Sequence, residues 1–144
     1  ITDYTNLFLN KMAVAAQVQV TYDQPGDLYS IALSTEDPGV LIGHHGDTLS
    51  SLRTILAQHL KAKTGEWLNL TLNVNDYWQR REASLHSMAD ATIEQVLSTG
   101  QAHVLPPMPA NERRAIHMYL TDHPQVVTSS DGEGRSRSVI ISPR

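Results

Sequence analysis

The 144-residue chain has no cysteine, one phenylalanine, more acidic than basic side chains and no long apolar run. Without cysteine there is no disulfide, no thiolate nucleophile and no Cys-ligated zinc, which fits a reducing cytoplasmic setting. No stretch approaches the ~18 apolar residues of a membrane span, and no signal-peptide pattern is present, so membrane insertion is not expected. The excess of 15 Asp+Glu over 11 Lys+Arg, a formal charge of -4, argues against a grip on nucleic acid spread over the whole surface. No repeat of 20 to 50 residues marks a solenoid. Gly-x-Ser-x-Gly, His-Glu-x-x-His and P-loop motifs are missing, which leaves hydrolase, metalloprotease and nucleotidase readings without a motif and points to a non-catalytic protein that needs no cofactor.

The charge that is present is unevenly placed: residues 1–75 carry net -3, residues 76–102 carry -2 and residues 103–144 carry +1, all of the last segment's positive charge being arginine. Arginine's planar fork fits phosphate and stacks on bases, so this bias says more than the same number of lysines would.

Hydropathy periods give an α+β chain of two small domains. Tyr4, Leu7, Phe8, Lys11, Met12 and Ala15 fall at helical spacing within 3–15. Val18, Val20 and Tyr22, then Leu28, Tyr29, Ile31 and Leu33 across Pro25-Gly26, read as a hairpin. A short helical turn at Val40-Leu41-Ile42 and the loop Gly43-His44-His45-Gly46 lead into a long helix, capped by Asp47 or Thr48 and stopped by Gly65, with Leu49, Leu52, Ile55, Leu56, His59 and Leu60 as its stripe. Leu68, Leu70, Leu72 and Val74 alternate as a strand with one buried face. A cap at Asn75-Asp76 opens a helix to Thr99-Gly100, a rod of about 36 Å at ~1.5 Å per residue, long enough to join two domains. After Pro106-Pro107-Met108-Pro109, a helix over 110–121 precedes two strands, Val126-Val127-Thr128 and Val139-Ile140-Ile141. The expected division is 1–75, a connecting 76–102, and 103–144.

Two motifs carry chemistry. Gly43-x-x-Gly46 lacks Cβ at both ends, so it is either a bare turn or a place where a sugar-phosphate chain approaches closely, with helix N-terminal amides ready for an anion. A metal at His44-His45 would need further ligands, and His59 lies a helix away. In the second motif Arg113 and His117 stand at i, i+4 and project from one helix face beside Arg114, offering a guanidinium fork and an imidazole to a backbone phosphate. Tyr119 is open to two readings, base stacking or core packing.

Helix, two strands, short helix, Gly-x-x-Gly, helix and strand over 1–75 resemble a type II K-homology (KH) domain, whose loop clamps about four nucleotides of single-stranded RNA. The string from Leu105 through Arg113-Arg114-Ala115-Ile116-His117, with Asp131-Gly132-Glu133-Gly134-Arg135-Ser136-Arg137 and Val139-Ile140-Ile141, resembles an R-three-H domain, a single-stranded nucleic-acid module. In this order the pair is similar to the bacterial Jag (SpoIIIJ-associated) family, without that family's N-terminal segment, as expected of a piece of a longer protein.

The resemblance implies that Gly43, His44, His45 and Gly46 touch the RNA backbone, that Val40 and Ile42, with Leu49, line an apolar groove for bases, and that Arg113 and His117 are the signature pair with Arg114, Arg135 and Arg137 beside them. It implies single-stranded RNA as ligand, with single-stranded DNA as an alternative, and a regulator or chaperone linked to cell elongation, cell shape and envelope growth. It also implies a small KH-domain partner or a homodimer, and hence a second reading in which the KH half is an interaction scaffold. One departure stands out: the loop carries two histidines where KH loops commonly carry Lys or Arg. With an ordinary histidine pKa of ~6.5, RNA binding through His44 and His45 is expected to strengthen as pH falls from about 8 to 6.

Overall fold

A computed structural model describes residues 1–144, which divide into two units, Ile1–Trp78 and Gln79–Arg144. Each has its own core and its own three-stranded sheet.

The first unit begins with α1 (Thr2–Lys11). The helix stops four residues short of the sequence expectation because Ala13 turns to φ 56°, and its buried face is Thr5 and Leu9. Leu7 and Met12 are left exposed, and the Thr5 hydroxyl is satisfied by the Ile1 carbonyl at 3.0 Å. Strands β1 (Gln17–Asp23) and β2 (Leu28–Ser34) pair antiparallel, from Gln17 opposite Ser34 to Asp23 opposite Leu28. Strand β3 (Leu70–Val74) joins β2 in parallel, so the chain crosses over through α2 (Pro38–Ile42), one 3-10 turn at His44–Gly46 and α3 (Asp47–Thr64).

That crossover closes the core: Ile31 and Leu33 of β2 and Leu70, Leu72 and Val74 of β3 are buried with Leu41, Leu49, Leu52, Leu56 and Leu60. Full burial of each such side chain contributes about 1.5–3 kcal/mol. Ile55 and His59, read as part of the α3 stripe, instead face solvent, because the four leucines at 49, 52, 56 and 60 already complete the buried face. Neither Asp47 nor Thr48 caps α3; the N-cap is Gly46 and no side chain bonds there.

Helix α4 (Tyr77–Thr99) starts in the first unit, where Tyr77 and Trp78 pack against the leucine core. The cap expected at Asn75-Asp76 is displaced. Asn75 exchanges hydrogen bonds with the Thr35 backbone, at 3.0 and 2.8 Å, and Asn73 accepts the Trp78 amide at 3.3 Å.

In the second unit Leu85, Ala89, Ile93 and Val96 of α4 are core residues, buried with Leu105, Met108, Ile116, Leu120, Val126, Val139 and Ile141. The stretch read in sequence as a connection therefore supplies four side chains to this core. Helix α5 (Ala110–Leu120) lies over a sheet ordered β4 (His103–Val104), β6 (Ser138–Pro143), β5 (Val126–Asp131), all pairs antiparallel. Arg137 lies at the edge of the β6 face that Val139 and Ile141 bury. It sits before the strand, at the end of the 3-10 turn Gly134–Ser136.

Candidate nucleic-acid interface

In the first unit α2 ends where Gly43 takes φ 70° and donates its amide to Gly39 at 2.9 Å. His45 and Gly46 follow at φ 52° and 79°, both left-handed. The absent Cβ atoms are accounted for by the protein itself. A Cβ on Gly43 would stand 2.1 Å from Thr48 Oγ1, and one on Gly46 would stand 2.7 Å from Trp78 Cη2 and 2.9 Å from Tyr77 Cε1. The glycines thus let the loop fold tightly onto α3 and the start of α4. The ring of exposed His44 meets that of His45 edge-on, centroids 4.2 Å apart.

Of the expected groove residues, Leu49 is fully buried and Ile42 packs against the core, while Val40 is open to solvent. Val40 lines a cleft of about 400 Å³ together with Met12, Val14, Thr35, Glu36 and Asp37. The lining has two carboxylates and no cation, which disfavours phosphate there.

In the second unit the site is built from α5 and β5. Glu112, only 2% exposed, is held by a bidentate ion pair from Arg81 of α4, Nε to Oε1 at 2.7 Å and Nη2 to Oε2 at 2.8 Å. With Glu112 fixed inward, the next residue, Arg113, turns toward the sheet. Its Nε donates to the Met108 carbonyl at 3.1 Å and its Nη1 to Ser130 Oγ at 3.0 Å. One helical turn on, the His117 ring hydrogen-bonds through Nδ1 to Thr128 Oγ1.

The match is geometric: four residues along a helix rise about 6 Å, and two along a strand advance about 6.8 Å. Arg-x-x-x-His on α5 therefore aligns with Thr128-x-Ser130 on β5, on the strand face that also buries Val126. Arg137 completes the group, donating from Nε to Ser130 Oγ at 3.1 Å and from Nη2 to the Ser130 carbonyl at 3.5 Å. Two like charges share one neutral acceptor, an arrangement that an anion would relieve.

Beside them lies a cleft of about 270 Å³ lined by Ala110, Arg113, Arg114, His117, Ser129, Ser130 and Val139. Arg113, Arg114, His117 and Arg137 are thus gathered in one place. Arg135, on the turn Gly134–Ser136, is outside the cleft lining. Sequence reasoning missed Thr128, Ser130 and Arg81; the alternation of β5 and a pairing of i, i+4 with i, i+2 was the signal for the first two.

Tyr119 is not a core residue: 43% of it is exposed. Its ring stacks on His86, 3.9 Å between centroids and 12° from parallel, and its hydroxyl donates to Asp90 at 3.1 and 3.2 Å. The bond to Asp90, then partial desolvation, raises its pKa above the ordinary tyrosine value. No group of three or more His, Asp or Glu is placed to hold a metal, and no helix is long and apolar enough to cross a membrane.

A family model described as KhpA/KhpB, KH domain matches residues 1–72, and a model of the R-three-H domain matches residues 83–143. RNA-binding protein KhpB of Lactiplantibacillus plantarum is 32% identical over 145 residues, covering 100% of this chain and 44% of that protein. The Clostridium symbiosum protein of the same name is 31% identical over 97% of this chain and 63% of its own length. The Bacillus subtilis one is 33% identical over 90% of this chain and 64% of its own. The chain therefore spans roughly half to two thirds of the length of these relatives.

Proposed function

Since the chain belongs to the KhpA/KhpB KH-domain family and carries an R-three-H domain after it, we propose that it is a non-catalytic protein that binds single-stranded RNA. The observation that carries this reading is the Ser130 hydroxyl shared by Arg113 and Arg137, next to His117 and Arg114 at an open cleft. Guanidinium groups held by protein acceptors are already oriented for phosphate, which lowers the ordering cost of binding. The name RNA-binding protein on relatives that match nearly the whole chain supports the same ligand.

The Gly43–Gly46 loop is the second, weaker contact, with His44 and His45 at the RNA backbone and Val40 beside the bases. Tethering two weak contacts on one strand raises the effective concentration at the second, so neither needs high affinity alone. On this reading the chain acts in the cytoplasm as an RNA regulator linked to elongation and envelope growth.

A second reading has the first unit serve chiefly as a docking surface for a small KH-domain partner or a second copy. It is favoured by the carboxylates Glu36 and Asp37 on the Val40 cleft, which has no cation in its lining.

Fluorescence anisotropy of labelled single-stranded RNA against salt tests both. Arg113→Ala/His117→Ala should abolish most binding, and His44→Asp/His45→Asp should weaken it. Binding untouched by the loop variant, with self-association or partner binding lost when the Val40 cleft is altered, would favour the docking reading. A native chain that binds no RNA at low salt would overturn the proposal.

A further inference from the structure

The first unit has net charge -3 over residues 1–75, yet from Thr48 to Gly65 it holds Arg53, Lys61 and Lys63 and no carboxylate. Three of the four basic side chains in residues 1–75 thus lie on α3, and two of them are in its last turn. Immediately past that turn stands Trp67, 61% exposed, a side chain that does not contribute to either core. The Lys61 ammonium lies over its ring, 4.2 Å from the centroid, a cation–π contact.

The turn that leads into Trp67 is fixed by hydrogen bonds. The Gly65 amide donates to the Lys61 carbonyl at 2.8 Å, the Thr64 hydroxyl is in reach of the Leu60 and Glu66 carbonyls at 3.0 and 3.1 Å, and the Glu66 amide donates to Thr64 Oγ1 at 3.3 Å. The strand residue Leu70 follows directly in the core. A large, solvent-facing indole with one lysine against its ring, a second lysine in the adjoining helical turn and a single carboxylate, Glu66, beside it in the chain suits base stacking by single-stranded nucleic acid, with the cations on adjoining phosphates. Lysines at a helix C-terminus also offset the helix dipole, but that role does not call for an exposed indole.

We propose that Trp67, with Lys61 and Lys63, is a base-stacking site for single-stranded RNA at the C-terminal end of α3. It rests on the RNA-binding reading above. The site is about 27 Å along α3 from Gly46, at ~1.5 Å per residue, so it is a separate contact from the Gly-x-x-Gly loop. It places the positive charge that the His-His loop lacks at the other end of the same helix.

The test uses the whole chain with single-stranded oligoadenylate, read by anisotropy and by tryptophan fluorescence. The Trp67 signal is taken as native minus Trp67→Phe, because Trp78 contributes to both. Single-stranded oligoadenylate should quench that signal and an RNA duplex should not, since stacking needs unpaired bases. Trp67→Ala should weaken binding between about 5-fold and 10²-fold, with Trp67→Phe retaining most of the affinity and Lys61→Ala intermediate.

Native binding that Trp67→Ala leaves intact, or equal quenching by duplex, would overturn the inference while leaving the RNA-binding reading in place. A Trp67 signal that answers to phosphatidylglycerol vesicles and not to RNA would overturn it in favour of a lipid surface. No binding by the native chain would overturn both. Circular dichroism of each variant confirms folding.

Discussion

Arg113 and Arg137 meet at a single atom, the Oγ of Ser130, which accepts from Nη1 of one at 3.0 Å and from Nε of the other at 3.1 Å. The serine does not change the charge of the site; it fixes where two charges point. Ser130→Ala should therefore weaken RNA binding several-fold, on the order of 10-fold, while leaving the slope of log affinity against log salt unchanged. Arg113→Ala should weaken binding and also lower that slope by about one, because one phosphate contact is lost. Salt titrations of the two variants separate orientation from charge.

The ion pair between Arg81 and Glu112 is asymmetric: the carboxylate side chain is 2% exposed and the guanidinium side chain 21%. Removing the bidentate guanidinium costs more for the more buried ion. Arg81→Met should cost about 3 kcal/mol of stability or more, and Glu112→Gln about 1–2 kcal/mol, since the remaining guanidinium can turn to water. Urea denaturation measures both, and the reverse order would show that Arg81 is not the main counter-ion of Glu112.

Glycine positions only a few residues apart should respond with opposite sign. Gly46 is left-handed and its Cβ would strike Trp78 and Tyr77, so Gly46→Ala combines about 1–2 kcal/mol of backbone strain with about 1–3 of overpacking. Gly39 lies in α2, and the nearest atom to its Cβ is Asp37 Oδ1 at 3.9 Å, so Gly39→Ala should stabilise by about 0.5–1 kcal/mol. Thermal or chemical melts decide.

Two exposed tyrosines should titrate high. Tyr119 is raised chiefly by its hydrogen bond to Asp90, and Tyr22 chiefly by its bond to Asp27. A raised folded-state value favours the protonated phenol, so the stability each contributes is fully present below the ordinary tyrosine pKa of ~10 and is lost as pH rises through the folded value. Ultraviolet absorbance titration should show one fewer late-titrating phenol in Asp90→Ala than in the native chain.

Much of this architecture was legible in the sequence because its signals are local. The alternation of Leu68, Leu70, Leu72 and Val74 and the leucines of α3 name their own faces, and the order of elements around Gly43 and Gly46 separates a KH-like unit from a generic hairpin. What was not legible depends on distant partners. Asn75 looked like a cap and is instead held by Thr35, forty residues away, leaving Asn73 to take the Trp78 amide.

Ile55 fits the period of α3 as well as Leu56 does, and only the packing of the sheet shows which one faces out. At the candidate site Arg113, Arg114 and His117 are visible as a motif, but Ser130 and Thr128 are ordinary letters until strand and helix are laid side by side. Arg81 is similar: its partner Glu112 lies thirty-one residues on.

The way Gly43 and Gly46 are seated has an evolutionary reading. Thr48, Tyr77 and Trp78 fill the space a Cβ would need, so the fold's demand at this bend falls on the two glycines and not on the exposed side chain at 44. Position 44 is therefore a site where lineages can trade imidazole for lysine, arginine or a carboxylate at little structural expense. On the proposed RNA-binding reading, the strength of contact at this bend can therefore change independently of whether the protein folds.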